Sequence, residues 1–423
     1  MLNEKRRYFS KEEIFLLPRL KGLWYLLTAL ALGLGLLYLW FALFPGPAAP
    51  EALQYFSAEQ IEGARAYSQG SRLSFIGSYL TQLCILLWLV FSGRSLFLSQ
   101  WTCKVARGSY WGNLLLFFLL LWLLLRLVHL PFTLFSSYYW QHYWGFSTQV
   151  LGAWWLDYLK TAAIDLCLSA GGTLLLFWII KRFPARWWLC CAAGLSILLA
   201  IQIFLSPLLI TPLFNHFTPV QDQKVIAMVE ELSYKAEIPV DQILLMDASR
   251  RTTKSNAYFA GLGRTKQIVL YDTLLHHHPQ DEVKAVIAHE MAHWRQGHII
   301  KGLGLYCAGT LLLCWLLFFV LKDMSPARAG DPYPTHTWAI ILLFFSLIFF
   351  ISSPLQGHIS QTMEKEADRV AVMLTNDIPA AVRLQINITV KNASDVSPPP
   401  VIQWFSSHPS PLTRIELLQN ANP

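Results

Sequence analysis

His289-Glu290-Met291-Ala292-His293 sets two imidazoles four residues apart with a carboxylate between them. The flanking Val283, Val286 and Ile287 recur at helical spacing, so the stretch Asp281–His298 predicts a helix. On a helix, residues four apart sit one above the other. Both rings then project from one face and can hold a single metal ion, while Glu290 leans over the same site. Zinc suits such a pair, because it accepts imidazole nitrogen and carboxylate oxygen in a tetrahedron and a catalytic site leaves one position for water. Glu290 is then the general base for that water, and the ion lowers the water's pKa and polarises a scissile carbonyl. Two histidines and a glutamate also fall at this spacing by chance on amphipathic helices, so the motif needs a third ligand beside it.

One candidate stands about seventy positions downstream, where Ser360–Leu374 reads SQTMEKEADRVAVML. Met363, Ala367, Val370 and Leu374 form an apolar stripe, with Glu364 and Asp368 four apart beside it. Carboxylates bordering a buried face are costly unless paired, which predicts a metal or a histidine as partner. Glu364 is the expected third ligand. Asp368 is expected to accept a hydrogen bond from the far nitrogen of His289 or His293 and so fix its tautomer. The competing reading is a solvated face, since Lys365, Glu366 and Arg369 are adjacent. His276-His277-His278, before Pro279, reads as a solvated turn, and His298, five residues beyond His293, as pointing away from the ligand face.

The rest of the chain has the composition of a membrane protein. Of 423 residues, 54% are hydrophobic and only 14% charged, against about 25% charged in soluble domains. The net charge is +7, and basic residues crowd beside apolar runs, as at Arg19 and Lys21 or Lys181 and Arg182. That placement fits anionic lipid headgroups and argues against nucleic acid as a partner. Six of the seven cysteines lie inside apolar runs and none forms C-x-x-C, which excludes a disulfide framework and a thiolate zinc site.

Seven apolar runs predict seven transmembrane helices: Leu23–Phe44, Leu73–Phe91, Trp111–Leu130, Ala162–Ile180, Trp187–Ile210, Gly302–Leu321 and Trp338–Ile351. The first is long enough to span, so no cleavable signal peptide is expected. Ser57–Arg72 reads as a separate interfacial helix, and Tyr138, Tyr139, Trp140, Tyr143, Trp144, Trp154 and Trp155 as an aromatic belt. Between the fifth and sixth runs the chain turns polar. A helix is expected at Gln221–Ala236 and short strands at Gln242–Met246, Ala257–Gly261 and Gln267–Tyr271, with a turn at Gly263-Arg264-Thr265. The expected fold is mainly α: a polytopic membrane protein with a small α+β catalytic region. Four segments follow from this reading: 1–212 with five spans, 213–301 with the two-histidine helix, 302–354 with two more spans, and 355–423 with the downstream carboxylates.

The chain resembles the integral-membrane CAAX prenyl proteases over nearly its whole length. The resemblance rests on Ala58–Tyr67, Gly145–Gln149 with Trp155-Leu156-Asp157, Pro212–Asn215, Ser255–Phe259 and Ile268–Leu275. His289–Trp294, Glu364–Asp368 and His408-Pro409 with Arg414 complete it. What the resemblance implies is a seven-helix chamber with one zinc ion inside, held by His289, His293 and Glu364, with Glu290 as base and Asp368 behind the ligands. It also implies that Asn256, Ala257, Tyr258 and Phe259 form an edge strand on which a peptide lies, and that His408 and Arg414 contact substrate. A donor such as His408 suits a developing oxyanion beside a metal.

Sidedness is read in two ways. Short loops on the N-terminal side hold fourteen Lys and Arg against three on the other, which predicts a cytoplasmic N-terminus and catalytic segments across the membrane from it. The resemblance implies a cytosol-facing site. The last residues, Gln419–Pro423, lack a dilysine-type signal, which favours a bacterial inner membrane. The leading functional expectation is a zinc metalloendopeptidase of CAAX prenyl protease type, acting on peptide or protein substrates by removing a C-terminal tripeptide from prenylated peptides or by cutting membrane-associated proteins, in contact with membrane lipid. Its rivals are a membrane-protein quality-control protease without prenyl specificity and a transporter or lipid-binding protein with a structural metal. The Pro-broken fifth run and Arg126 inside the third favour the transporter.

Overall fold

The computed structural model describes residues 18–261, 266–324 and 333–421. The basic N-terminal residues 1–17, the turn at 263–265, part of the 322–336 loop, and Asn422 and Pro423 lie outside the described residues.

Among the described residues, six helices are long and apolar enough to cross a membrane. They are α1 (Pro18–Leu43), α2 (Ala58–Phe91), α4 (Tyr110–Leu134), α5 (Leu151–Arg182), α9 (His298–Met324) and α10 (Thr337–Thr375). Helix α3 (Arg94–Val105), which the sequence reading missed, bridges α2 and α4. The expected fifth span is the shorter apolar helix α6 (Trp187–Leu205), which runs into a π-helical turn at Ser206–Ile210. The insertion there matches the Pro-interrupted sequence, since proline removes a backbone donor and π turns absorb the misfit.

Two expected breaks are absent. The polar stretch 57–72 and the span after it form the single helix α2, started by a capping box in which Ser57 Oγ accepts from Gln60 N and Gln60 Oε1 from Ser57 N. The seventh run and the helix at 360–374 are likewise one rod of 39 residues, α10, which continues through Pro354. The expected division between residues 354 and 355 therefore falls inside a helix and marks no structural boundary. The aromatic group at 138–155 is not a uniform belt either: Tyr139 and Tyr143 are exposed, whereas Trp154 is buried and donates to Ser137 Oγ.

The membrane helices pack as a ring. α9 lies against α6, α6 against α5, α5 against α4, α4 against α2, α2 against α10 and α10 against α9, while α1 lies on α2 and α10. Helices that face each other across the ring, such as α2 and α6 or α5 and α10, have no comparable packing among the described residues. The ring thus surrounds a space, and the apolar windows of α5 and α9 are only 17% buried.

The segment between α6 and α9 forms the small α+β region. Strands β1 (Phe217–Pro219), β2 (Gln242–Met246), β3 (Ala257–Ala260) and β4 (Gln267–Tyr271) make one sheet in the order β1-β2-β4-β3. β2 and β4 are parallel, and the outer pairs are antiparallel. The central strand β4 reads as an apolar run, with Ile268, Val269 and Leu270 fully buried, as a strand covered on both faces must. Helix α7 (Gln223–Ala236) and helix α8 (Gln280–Arg295) share a core with the sheet and the C-terminal turns of α10. Ile287 and Met291 of α8 are wholly buried in that core. Ile287→Ala opens a cavity there and is expected to cost about 2–5 kcal/mol, measured as a lower melting temperature of the detergent-solubilised protein.

Candidate active site

Helix α8 begins after Pro279 with Asp281 and Glu282 in its first turn, where the helix dipole favours negative charge. Glu282 is buried and clamped: His278 Nδ1 lies 2.8 Å from Oε2, and Asn387 Nδ2 donates to Oε1 at 2.5 Å. His278 is therefore not part of a solvated turn, although His276 and His277 are exposed. The difference arises because His278 stands in extended backbone just before the Pro279 cap and turns back onto the first turn of α8, where Glu282 lies. With Val283, Val286, Ile287 and Met291 sunk into the core, His289 and His293 are left on the opposite face.

Against that face α10 brings Glu364 and Asp368, both buried. The Nε2 atoms of His289 and His293 are 3.2 Å apart. Glu364 Oε2 lies 3.3 Å from His289 Nε2, and Glu364 Oε1 lies 3.4 Å from His293 Nε2. Donors bound at about 2.0–2.1 Å to one tetrahedral ion stand roughly 3.3–3.4 Å from each other. The three observed separations are close to the edges of that tetrahedron. Moreover, Glu364 Oε2 is buried without a hydrogen-bond partner, a condition that costs several kcal/mol unless a cation satisfies it. The donor set fits a metal ion, and His289, His293 and Glu364 are the cluster that could hold it.

Behind the ligand set, Asp368 Oδ1 lies 3.0 Å from His289 Nδ1, a contact too oblique for a straight hydrogen bond. Asp368 is also gripped bidentately by Arg414, whose Nε donates at 2.8 Å and Nη2 at 2.6 Å. Arg414 was expected at the substrate. Only its Nη1 is left free of that pair. The two carboxylates outweigh burial at His289 and raise its pKa to about 9. Glu290 is one position on, and burial pushes its carboxyl above the usual range against the pull of His289 and His293.

His408 lies on the turn after the short helix Pro400–Trp404 and brings its Nε2 to 3.5 Å from Glu364 Oε1. Two residues that the sequence reading missed hold this turn. Gln361 Nε2 donates to the carbonyls of Gln403 and Ser406 at 2.8 and 2.9 Å. Gly357 lets the same backbone approach, since a Cβ there would stand 2.3 Å from the Trp404 carbonyl oxygen. The periodicity of α10 was their only signal, because both sit within two turns before Glu364.

His298 was also misread. Helix α8 stops at Gln296, Gly297 takes a left-handed φ of +65°, and α9 restarts at once. Helical counting does not carry through that turn. His298 is buried with its Nδ1 2.9 Å from His293 Nδ1.

β3 lies at the sheet edge with β4 on one side and no strand on the other among the described residues. Asn256 leads into it, its side chain accepting from Ala257 N and its carbonyl from Tyr271 N. The period of two puts Phe259 against Trp294 of α8, rings 5.3 Å apart, and Tyr258 on the other face near Met246 and Val269.

Residues 219–422 match peptidase family M48, and residues 46–216 match the CAAX prenyl protease N-terminal region of five membrane helices. CAAX prenyl protease 1 of Saccharomyces cerevisiae is 30% identical over 314 residues, 69% of each chain. The chain belongs to peptidase family M48. It is a multi-pass membrane metalloprotease of the CAAX prenyl protease type. The Bacillus subtilis protein named uncharacterized metalloprotease YhfN is 29% identical over 90% of this chain and 93% of its own. The crystal structure of S. mikatae Ste24p shares the fold, with a TM-score of 0.81 at 24% identity over 93% of this chain and 98% of that one.

The contact between Gly357 and the Trp404 carbonyl gives a prediction for this M48 site. Gly357→Ala must push the 403–408 turn away from α10, so turnover of a peptide should fall severalfold while the metal content of the purified protein stays at wild-type level.

Proposed function

We propose that this M48 protein hydrolyses peptide bonds of extended substrates with one zinc ion held by His289, His293 and Glu364. The observation that carries the reading is the trio of donors at 3.2, 3.3 and 3.4 Å around an unpartnered Glu364 oxygen, which leaves one tetrahedral position for water or substrate. A structural site would be closed by a fourth protein ligand, and the cluster found among the described residues has three members, which counts against a transporter or lipid-binding protein.

Zinc would supply a more acidic water and a polarised carbonyl. The chain's own residues do the rest. The open edge of β3, Asn256 to Phe259, pairs with the peptide backbone whatever the side chains and presents the scissile bond beside the ligands. Glu290 takes the proton from water and delivers it to the departing amine. Its raised pKa places it nearer neutrality, where a base is most effective. His408 donates to the oxygen on which negative charge develops. Asp368, held by Arg414, steadies the His289 ring.

The substrate proposed is a prenylated peptide from which a C-terminal tripeptide is removed, since the Saccharomyces cerevisiae relative is named CAAX prenyl protease 1. The space inside the helix ring could shelter the chain of such a lipid from water. The location proposed is a bacterial inner membrane, supported by the Bacillus relative.

Glu290→Gln should keep one zinc per chain by elemental analysis and lose roughly 100- to 10,000-fold in cleavage rate; full turnover by the variant would remove Glu290 as base. A farnesylated C-terminal peptide should be cut faster than its unprenylated counterpart, and neither after chelation. Equal rates would leave the hydrolysis intact and point to proteolysis of membrane proteins without prenyl recognition.

A further inference from the structure

On the side of His293 away from Glu364 stands a second imidazole that no helical spacing connects to the site. His293 Nδ1 lies 2.9 Å from His298 Nδ1, and His298 Nε2 lies 3.1 Å from Glu366 Oε2. His298 is only 5% exposed, whereas the Glu366 side chain is 42% exposed and also faces Lys301 Nζ at 3.7 Å.

Two imidazole nitrogens so close can share only one proton. One must carry it and the other must offer a lone pair. With the Nε2 lone pair of His293 turned to the ion, its proton sits on Nδ1. His298 then accepts at Nδ1 and carries its own proton on Nε2, where the Glu366 carboxylate accepts it. The chain from His293 through His298 to Glu366 has one consistent assignment of hydrogens.

We propose that His298 and Glu366 are positioning residues for the ligand His293: His298 fixes the tautomer and plane of the His293 ring, and Glu366 fixes the tautomer of His298. The inference rests on the reading of His293 as a metal ligand. The two imidazole ligands are thus supported differently. His289 faces the anion Asp368, itself locked by Arg414, while His293 faces a neutral ring whose carboxylate is one step further away. A ligand backed by a neutral acceptor gains less basicity than one backed by a carboxylate, so the grip of His293 depends more on orientation. Gly297 makes the arrangement possible, because its left-handed φ of +65° breaks the helical path between His293 and His298 and lets their rings meet.

The test uses the full-length protein in detergent, loaded with zinc and challenged with excess chelator. Zinc loss is followed with a chromogenic indicator, and the metal-free protein is melted in parallel. His298→Leu removes the acceptor but keeps an apolar side chain. His298→Asn restores an oxygen near the Nδ1 position, and Glu366→Gln keeps an acceptor for His298 Nε2. His298→Leu is expected to hold zinc about 10- to 100-fold less tightly, with His298→Asn and Glu366→Gln close to wild type and all metal-free melting temperatures alike. Equal zinc retention by His298→Leu and wild type would overturn the proposal. So would a lowered metal-free melting temperature that His298→Asn does not restore, since packing would then explain the loss. A wild-type protein that takes up no zinc would instead remove the metal reading itself.

Discussion

A carboxylate caught between two imidazoles, with one oxygen buried and unpartnered, is the constraint from which the rest of this structure follows. Bringing Glu364 out of water is unfavourable unless positive charge meets it. The protein builds the meeting point from two helices that reach it from different parts of the fold. α8 presents the histidines from a small soluble-type core, and α10 presents the carboxylate from the end of a membrane rod. Their packing against each other is among the most extensive in the molecule. Buried apolar side chains such as Ile287, Ala288, Ala367 and Ala371 fix the distance at which the polar atoms face one another.

Charge behind the ligands is handled the same way. Asp368 is nearly as buried as the core, yet two Arg414 donors and the His289 ring surround it. Buried pairs of this kind add little net stability over apolar packing, but removing one partner strands the other at a cost of about 3–5 kcal/mol. The Asp368–Arg414 pair therefore acts as a geometric lock. It ties the last helix, Pro411–Gln419, to α10 and sets the azimuth of one ligand.

The membrane part serves the site by being stiff. A 39-residue helix through Pro354 connects the membrane ring to Glu364, the proposed third ligand, in one continuous element. At its midpoint Gly357 and Gln361 seat the turn that carries His408, so one rod positions both the proposed ligand Glu364 and the proposed oxyanion donor. The edge strand β3, proposed to hold substrate, is attached through Phe259 and Trp294, the residue directly after the second histidine. The groups aimed at the centre thus stand on α8, on α10, or on a turn, strand or helix that one of these two holds in place.

By itself the sequence determined what is periodic and local. Apolar runs marked the helices that cross the membrane, a spacing of four placed His289 with His293 and Glu364 with Asp368, and short apolar stretches between polar turns located β2, β3 and β4. Motif resemblance supplied the link between the two helices before any contact was known. Tertiary structure alone decided where helices do not stop, as at 57–73 and 351–360, because a polar stretch continues a helix when a neighbouring element satisfies it. It also decided the partners that counting residues cannot find. His278 turns inward to Glu282, His298 folds back to His293 through a left-handed glycine, and Arg414 closes on Asp368 from the far end of the chain. Spacing predicts neighbours only along one unbroken helix; across a turn or between helices, packing of the apolar faces chooses which polar atoms meet.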